Sequence, residues 1–325
     1  MISIITPSLN QGQFIEQSIR SVLDSGSVEV ELIILDGGSD DNTTHILEKY
    51  DDKIDFWVSE HDTGQSNAIN KGISRAKGNI VNWLNSDDYY EPRALEIIQN
   101  KFGQRGINVV LAKSRLFSEN QTVSISTGTD VYPNNLAKTI GWSRIDQPES
   151  FFTKTAWDTV GLLNEQLHYT MDREWWMRYL YEFGLEGIQQ IQDVVVNFRL
   201  HADSKTVGQP AGFQVEHDTL FYLMAKAAKN NAARKVIKEN CQIDENLRSS
   251  ISEWTKTALA QMALNYYILK RADEFYYQGD HRKSRNLLKC IESNLLDTND
   301  ATLYKGLKWK SLLPETLIRI AKKTR

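Results

Sequence analysis

Short apolar runs alternate with longer segments of helical periodicity through the first hundred residues. ISIIT at 2–6, ELIIL at 31–35, FWV at 56–58 and IVNWL at 80–84 are the apolar runs. Each precedes a stretch, 14–23, 43–50, 65–76 and 92–102, with apolar residues three and four positions apart. This βαβα order predicts a largely parallel sheet with helices on both faces. Ligands of such sheets gather beyond the carboxyl ends of the strands. There the sequence places three polar turns, TPSLN (6–10), DGGSD (36–40) and NSDD (85–88), so the three are expected to converge on one crevice.

Further along, residues 109–112, 115–117 and 123–126 read as short strands, followed by a loop with Trp142 and QPES (147–150). This region is expected to floor a second subsite. Residues 171–183 have helical spacing, and 194–200 read as a strand ending at His201. From about 213 the pattern is almost wholly helical, with no proline until Pro314. The expectation is therefore an α/β domain over 1–212 and a helical appendage over 213–325, in keeping with 325 residues, more than one core usually holds.

Composition narrows the function classes little. The net charge of −4 gives no overall attraction to nucleic acid, which is not expected as a partner. Two cysteines, Cys241 and Cys290, are too few for a disulfide scaffold or a zinc cluster and suit a reducing compartment. The start reads as a first strand rather than a signal peptide, and no 18 apolar residues run together, so no spanning helix is expected.

The polar turns carry the chemistry. Asp87 and Asp88 repel one another, and capping of the helix near Pro92 accounts for one acid but not two. A hard divalent cation takes one or two carboxylates plus substrate phosphates. In DGGSDDNT, Ser39, Asp40 or Asp41 can cap the next helix, whereas Asp36 sits where a carboxylate can accept an N–H from a planar base. In SEHDTGQSNAINKG (59–72), Asp62, Asn67, Asn70 and Lys71 exceed what capping requires. Lys71 is either a solvated surface charge or a point cation near a diphosphate.

Together and in this order, TPSLN, DGGSD, DTGQSNAINKG and WLNSDD resemble the family 2 glycosyltransferases of GT-A fold. The resemblance implies a Rossmann-like, mostly parallel sheet and an inverting, nucleotide-sugar-dependent reaction. It implies that Thr6, Pro7, Ser8, Asn10, Asp36, Asp62, Gly64, Asn67, Lys71, Asn85 and Ser86 hold the donor, with Asp36 on the nucleobase. Asn85, Ser86 and Asp87 stand where the family's DxD motif lies, which makes Asp87 a ligand of Mg²⁺ or Mn²⁺. YTMDREWWMR (169–178) resembles the family's acid-rich helix start, which gives the general base to Asp172, with Glu174 as the alternative. FRLHADSKT (198–206) resembles the return strand whose His completes the metal site, here His201. Three departures put the sugar choice in doubt: Asn85 at an often acidic position, Asn67 where many relatives have Asp, and Glu149 in place of a smaller residue.

The resulting expectation is transfer of a hexosyl or N-acetylhexosaminyl group from a UDP-sugar to a saccharide or lipid-linked acceptor, in surface polysaccharide synthesis in the bacterial cytoplasm. A nucleotidyltransferase would also use acidic metal ligands, but no glycine-rich basic loop near the N-terminus awaits a triphosphate; a non-catalytic nucleotide-sugar-binding scaffold is the third reading. Trp142, Trp175 and Trp176 suit either an acceptor's sugar ring or a core. The closing run SLLPETLIRIAKKTR suits either an anionic membrane surface at the inner face of the cell membrane or packing on the helical region.

Overall fold

The computed structural model describes residues 1–119, 121–142, 144–202, 204–249 and 257–312. The closing run from 313, with its expected membrane or packing role, lies outside the described residues. The chain divides into two compact units, Met1–Val131 with Arg144–Pro210, and Tyr132–Ser143 with Ala211–Arg325.

The first unit begins with β1 (Ile2–Ser8), α1 (Ile15–Leu23), β2 (Val30–Asp36), α2 (Thr43–Lys49), β3 (Phe56–Ser59), α3 (Gln65–Arg75), β4 (Ile80–Trp83), β5 (Tyr89–Tyr90) and α4 (Ala94–Phe102). After β6 (Val109–Ser118) and β7 (Gln121–Ile125) the chain forms α5 (Leu136–Trp142) in the second unit. It then returns for β8 (Ser150–Thr153), α6 (Lys154–Val160), α7 (Met171–Phe183), β9 (Ile188–Arg199) and the one-turn α8 (Lys205–Gly208).

One mixed sheet runs in the order β3-β2-β1-β4-β8-β6-β9-β5, with β7 paired to β6. The β3-β2-β1-β4 half is parallel throughout. The other half is not: β8 is antiparallel to β4 and β6, and β5 is antiparallel to β9. The region expected to floor one subsite is thus divided between strands β6, β7 and β8 of the sheet and α5 of the second unit. Expected strands 109–112 and 115–117 are one strand, β6, whose register against β9 shifts at Lys113.

Strand alternation explains the two covered faces. Ile2 and Ile4 of β1, with Leu32 and Ile34 of β2, join one buried cluster with Ile15, Ile19 and Val22 of α1 and Leu95 and Ile98 of α4. Each such side chain, fully buried, contributes about 1.5–3 kcal/mol. Ile5 and Leu35 point the other way, onto α3. A Cβ on Gly72 would lie 2.5 Å from Ile5 Cγ2 and 2.9 Å from a Leu35 methyl, so only glycine lets α3 approach this closely. That approach sets the turn before α3 against the ends of β1 and β2.

Phe152, Trp157, Trp175, Trp176 and Tyr179 form an aromatic stack, with Trp157 and Trp175 at 4.3 Å and Trp176 and Tyr179 at 5.1 Å. Trp175 and Trp176 are 1 % and 0 % exposed, so they are core and not acceptor neighbours. Their packing anchors α7 and thereby fixes where its first turn begins.

In the second unit, α5 is joined by α9 (Pro210–Ala227), α10 (Asn231–Asn240), α11 (Thr257–Gln278), α12 (His281–Leu288) and α13 (Thr298–Lys310). A Cβ on Gly141 would collide with the Ala263 carbonyl, so α5 lies directly on α11. Lys138 reaches Asp300 at 2.5 Å, and Lys270 donates to the Trp142 carbonyl at 2.8 Å. A buried ion pair, Arg271 with Asp218 at 3.0 Å, ties α11 to α9. Among the described residues no helix is long and apolar enough to cross a membrane.

Candidate active site

The strand register brings Ser8, Asp36 and Ser59 side by side at the carboxyl ends of β1, β2 and β3. Asp36 is buried and organises its own turn. One carboxylate oxygen accepts from the Ser39 amide at 2.9 Å and the Ser59 hydroxyl at 2.6 Å; the other accepts from the Ser39 hydroxyl at 2.5 Å. Asn10, at φ 54°, is held to the same turn: its amide donates to Ser39 Oγ, and its side-chain oxygen accepts from the Asp40 amide. Two neighbouring hydroxyls, Thr6 Oγ1 and Ser8 Oγ, are buried without a hydrogen-bond partner. Buried polar atoms are almost always bonded, so such orphans at a strand end mark a place where a ligand can supply the partner.

Asp62 caps the turn before α3 through the Gly64 amide at 2.7 Å, and Gly64 takes φ 125°, a conformation that favours glycine. A small cleft here is lined by Asp36, Glu60, Asp62, Ala68 and Lys71, among others. Lys71 enters it already matched by Glu60 at 2.8 Å, and Asn67 donates to Glu165 at 3.0 Å. Asn70 exchanges bonds with the backbone of Leu163, which fastens the segment preceding α7 onto α3.

The turn after β4 holds the next group. Asn85 accepts from Gln65 at 2.9 Å, and its carbonyl accepts the Asp88 amide, while Ser86 is buried between them. Asp87 and His201 meet across the sheet, Oδ2 to Nε2 at 2.9 Å. Asp88 turns inward: one oxygen accepts the Arg199 amide at 2.8 Å and the other is buried without a partner. Burial first, and then the adjacent Asp87 charge, holds its carboxyl well above the usual carboxylate range. The doubled acid of the sequence is therefore one outward carboxylate and one buried acid.

Asp87 and His201 suit a divalent cation. Two cis ligands of an octahedral ion, each at about 2.1 Å, stand about 3 Å apart, close to the observed separation. Among the described residues no group of three or more His, Cys, Asp and Glu is clustered to hold a metal.

Asp172 opens α7, half-buried, with one oxygen accepting the Arg173 amide at 2.7 Å. Burial pushes its pKa up to about 6, against the opposing charge of Arg173. Glu174 is fully buried in an ion pair with Arg178 at 3.0 Å, and Arg178 also holds the Val160 and Leu162 carbonyls. Glu174 braces the start of α7 and is not placed to act as the base.

Several residues of this site received no role from the sequence, although Arg199 and Lys205 lie within the FRLHADSKT run. Lys205, on the return segment, donates to Gln65 at 2.8 Å and to the His168 carbonyl at 2.9 Å, joining the turn before Asp172 to the Gln65–Asn85 pair. Arg199 and Asp146 are the others. Asp146 is near enough that its charge raises the pKa of Asp172. Their partners lie far away along the chain, beyond the reach of local pattern.

The profile of Glycosyl transferase family 2 matches residues 3–157. An uncharacterized glycosyltransferase of Rickettsia typhi is 26 % identical over 233 residues, 68 % of this chain and 70 % of that one. The putative teichuronic acid biosynthesis glycosyltransferase TuaG of Bacillus subtilis is 39 % identical over 99 residues, 30 % of this chain and 39 % of TuaG. The chain spans only 21 % of the chondroitin synthase of Pasteurella multocida, at 26 % identity over 210 residues, 64 % of this chain. In fold it is similar to S. aureus TarS 1-349 in complex with UDP-GlcNAc, with a TM-score of 0.59, 15 % identity, and coverage of 95 % of this chain and 90 % of that one. Residues 3–157 thus carry the Glycosyl transferase family 2 match, within a mixed α/β sheet flanked by helices.

Proposed function

We propose that the protein is an inverting, metal-dependent glycosyltransferase that moves a hexosyl or N-acetylhexosaminyl group from a UDP-sugar to a hydroxyl of a saccharide or lipid-linked acceptor. Dependence on a nucleotide sugar comes with the family; the donor, metal, acceptor and stereochemistry are our reading. The observation that carries it is the 2.9 Å meeting of Asp87 with His201 at the carboxyl end of the parallel strands.

Asp87 and His201 would hold Mg²⁺ or Mn²⁺, which when bound supplies Lewis-acid stabilisation of the departing diphosphate. Thr6, Ser8, Asn10, Asp36, Asp62 and Gly64 form the nucleoside end of the crevice, where the two orphan hydroxyls await partners. Asn85 and Ser86 share the Asp87 turn and offer hydrogen bonds to the donor. Asp172 takes the acceptor's hydroxyl proton on the oxygen not engaged by Arg173. As the acceptor oxygen bonds to the anomeric carbon, the bond from that carbon to the diphosphate breaks on the opposite face, and nucleoside diphosphate leaves. A pKa near 6 makes Asp172 a stronger base than an ordinary carboxylate yet leaves it mostly ionised at neutral pH.

Similarity to TuaG, of teichuronic acid biosynthesis, and to chondroitin synthase favours a growing polysaccharide as acceptor. We place the reaction in the cytoplasm, at the inner face of the membrane where the acceptor is lipid-linked. The test is a panel of nucleotide sugars with Mn²⁺, beginning with UDP-GlcNAc, scored for release of nucleoside diphosphate before and after adding acceptors. Metal-dependent release from one donor is the expected result. Pyrophosphate from a nucleoside triphosphate and a sugar phosphate would make the protein a nucleotidyltransferase, and tight donor binding without release would make it a scaffold.

A further inference from the structure

Arg199, the last residue of β9, is the meeting point of four segments. Its Nε donates to the backbone carbonyl of Asp87 at 2.9 Å, and its terminal nitrogen donates to Gln17 of α1 at 2.7 Å. Its guanidinium lies over two aromatic rings, Phe14 and Phe117, each 4.6 Å to the centroid, and 5.9 Å from Tyr89. Its own amide donates to the buried carboxyl of Asp88. Two residues later, His201 packs its ring 5.0 Å from Phe14 and reaches Asp87.

This arrangement exceeds what packing requires. A cation between two rings is stabilised wherever its stem leads, but here the fork is also aimed. Nε fixes the carbonyl of the residue whose carboxylate faces His201, and the terminal nitrogen fixes α1, which Phe14, backing the imidazole, immediately precedes. A planar guanidinium with several donors can do both at once; an ammonium on a flexible stem cannot.

We propose that Arg199 is a positioning residue that holds the Asp87 carboxylate and the His201 imidazole at the spacing a divalent cation needs. The inference rests on the metal-dependent reading above. Arg199 touches neither the cation nor the donor: it acts through the Asp87 carbonyl and the Phe14 ring. Its loss would weaken cation capture while leaving the donor crevice at β1, β2 and β3 as it is.

The experiment compares wild type with Arg199→Met, which keeps a long stem but no donor, Arg199→Lys, and Gln17→Leu at the exposed anchor. Mn²⁺ binding in the presence of UDP is followed by electron paramagnetic resonance. Donor hydrolysis is titrated with Mn²⁺, and thermal midpoints are recorded alongside. The expected result is a Mn²⁺ half-saturation raised about tenfold in Arg199→Met, two- to fourfold in Arg199→Lys and about twofold in Gln17→Leu, the last two changes being the smaller consequence of losing one donor of the fork. The KM for donor at saturating Mn²⁺ stays within twofold. Should Arg199→Met fail to fold, the graded shifts of the other two carry the test.

An unshifted Mn²⁺ curve in variants with lowered midpoints would make Arg199 a packing residue and overturn the proposal. A raised donor KM at saturating Mn²⁺ would make it a direct phosphate ligand, with the same consequence. Wild type that binds no Mn²⁺ would overturn the metal-dependent reading and this proposal with it; normal wild-type binding with unshifted variants overturns the proposal alone.

Discussion

The turn after β4 and the first turn of α7 each present two acids within three positions, and in both places the two acids part company. Asp87 is half-buried and faces His201, whereas Asp88 is buried and holds the Arg199 amide. Asp172 is half-buried with a pKa near 6, whereas Glu174 is fully buried against Arg178. The inner members differ in how burial is made tolerable. Asp88 has a backbone amide and a carboxyl shifted toward its protonated form, while Glu174 has a guanidinium that also bonds two carbonyls. In each pair one acid stays partly exposed, and it is the one to which the proposed reaction gives a role, while the other is buried and bonded beside it.

The sharpest way to break this comparison is at its outer members. Asp87→Asn is expected to lower metal-dependent donor hydrolysis on the order of a thousandfold, about 4 kcal/mol, with the thermal midpoint unchanged. Turnover near wild type in saturating Mn²⁺ would remove Asp87 from the metal site. Asp172→Asn is expected to lower transfer on the order of several hundredfold while calorimetry shows donor affinity retained. Parallel loss of both would make Asp172 a binding residue. With Asp172 as the proposed base its active form is the carboxylate, so with a pKa pushed up to about 6 the wild-type transfer rate should hold above that pH. Below it the rate should fall about tenfold per unit.

A third buried acid separates burial from ion pairing. Glu149 is 0 % exposed, bonded to the Ser114 and Ser126 hydroxyls, and burial, helped by Asp146, pushes its pKa up to about 8. The folded state keeps a proton that the unfolded chain releases above the ordinary value of 4.5, so this group's contribution is full below that value and lost as pH rises through 8. Glu149→Gln should flatten the fall of the thermal midpoint between pH 5 and pH 8, by about a few kcal/mol in all. An unchanged slope would mean that Glu149 ionises freely. The smallest effect is expected at Glu174→Gln, which keeps the shape but removes the charge facing Arg178. It should cost about 1.5–3 kcal/mol of folding stability and leave the pH dependence of transfer in place. A displaced pH profile would show that Glu174 takes part in the proton transfer.

What the sequence made legible was local. The runs at 2–6, 31–35 and 80–84 appear as β1, β2 and β4 because buried parallel strands are short apolar stretches that end in polar turns. The spacing over 171–183 appears as α7, and the helical pattern after 213 as the helices of the second unit. Tyr89–Tyr90 is too short to show any period, and Ser150–Thr153 is a four-residue strand hidden behind the QPES turn. Trp175 and Trp176 had two readings, and only the packing of Phe152 and Trp157 against Trp175 decided for the core. The pairing of Asp87 with His201 came from resemblance, since nothing periodic links positions 114 residues apart. Arg199, Gln65 and Lys205 lie within quoted runs, but their individual roles were out of reach for the same reason. Each is an ordinary surface-type residue in sequence, given its place by partners at distant positions.

The path of the chain through α5 bears on how such a protein could be inherited or divided. The chain leaves the first unit after Val131, contributes Tyr132–Ser143 to the second, returns at Arg144, and departs again after Pro210. Three covalent crossings therefore join the units, and no single cut separates them. Exchanging everything after residue 210 for a foreign module would strand α5, leaving Gly141 and Lys138 without Ala263 and Asp300. In evolutionary terms the helical unit is not a detachable cassette: it travels with the insert between β7 and β8, and a change in one must be answered in the other.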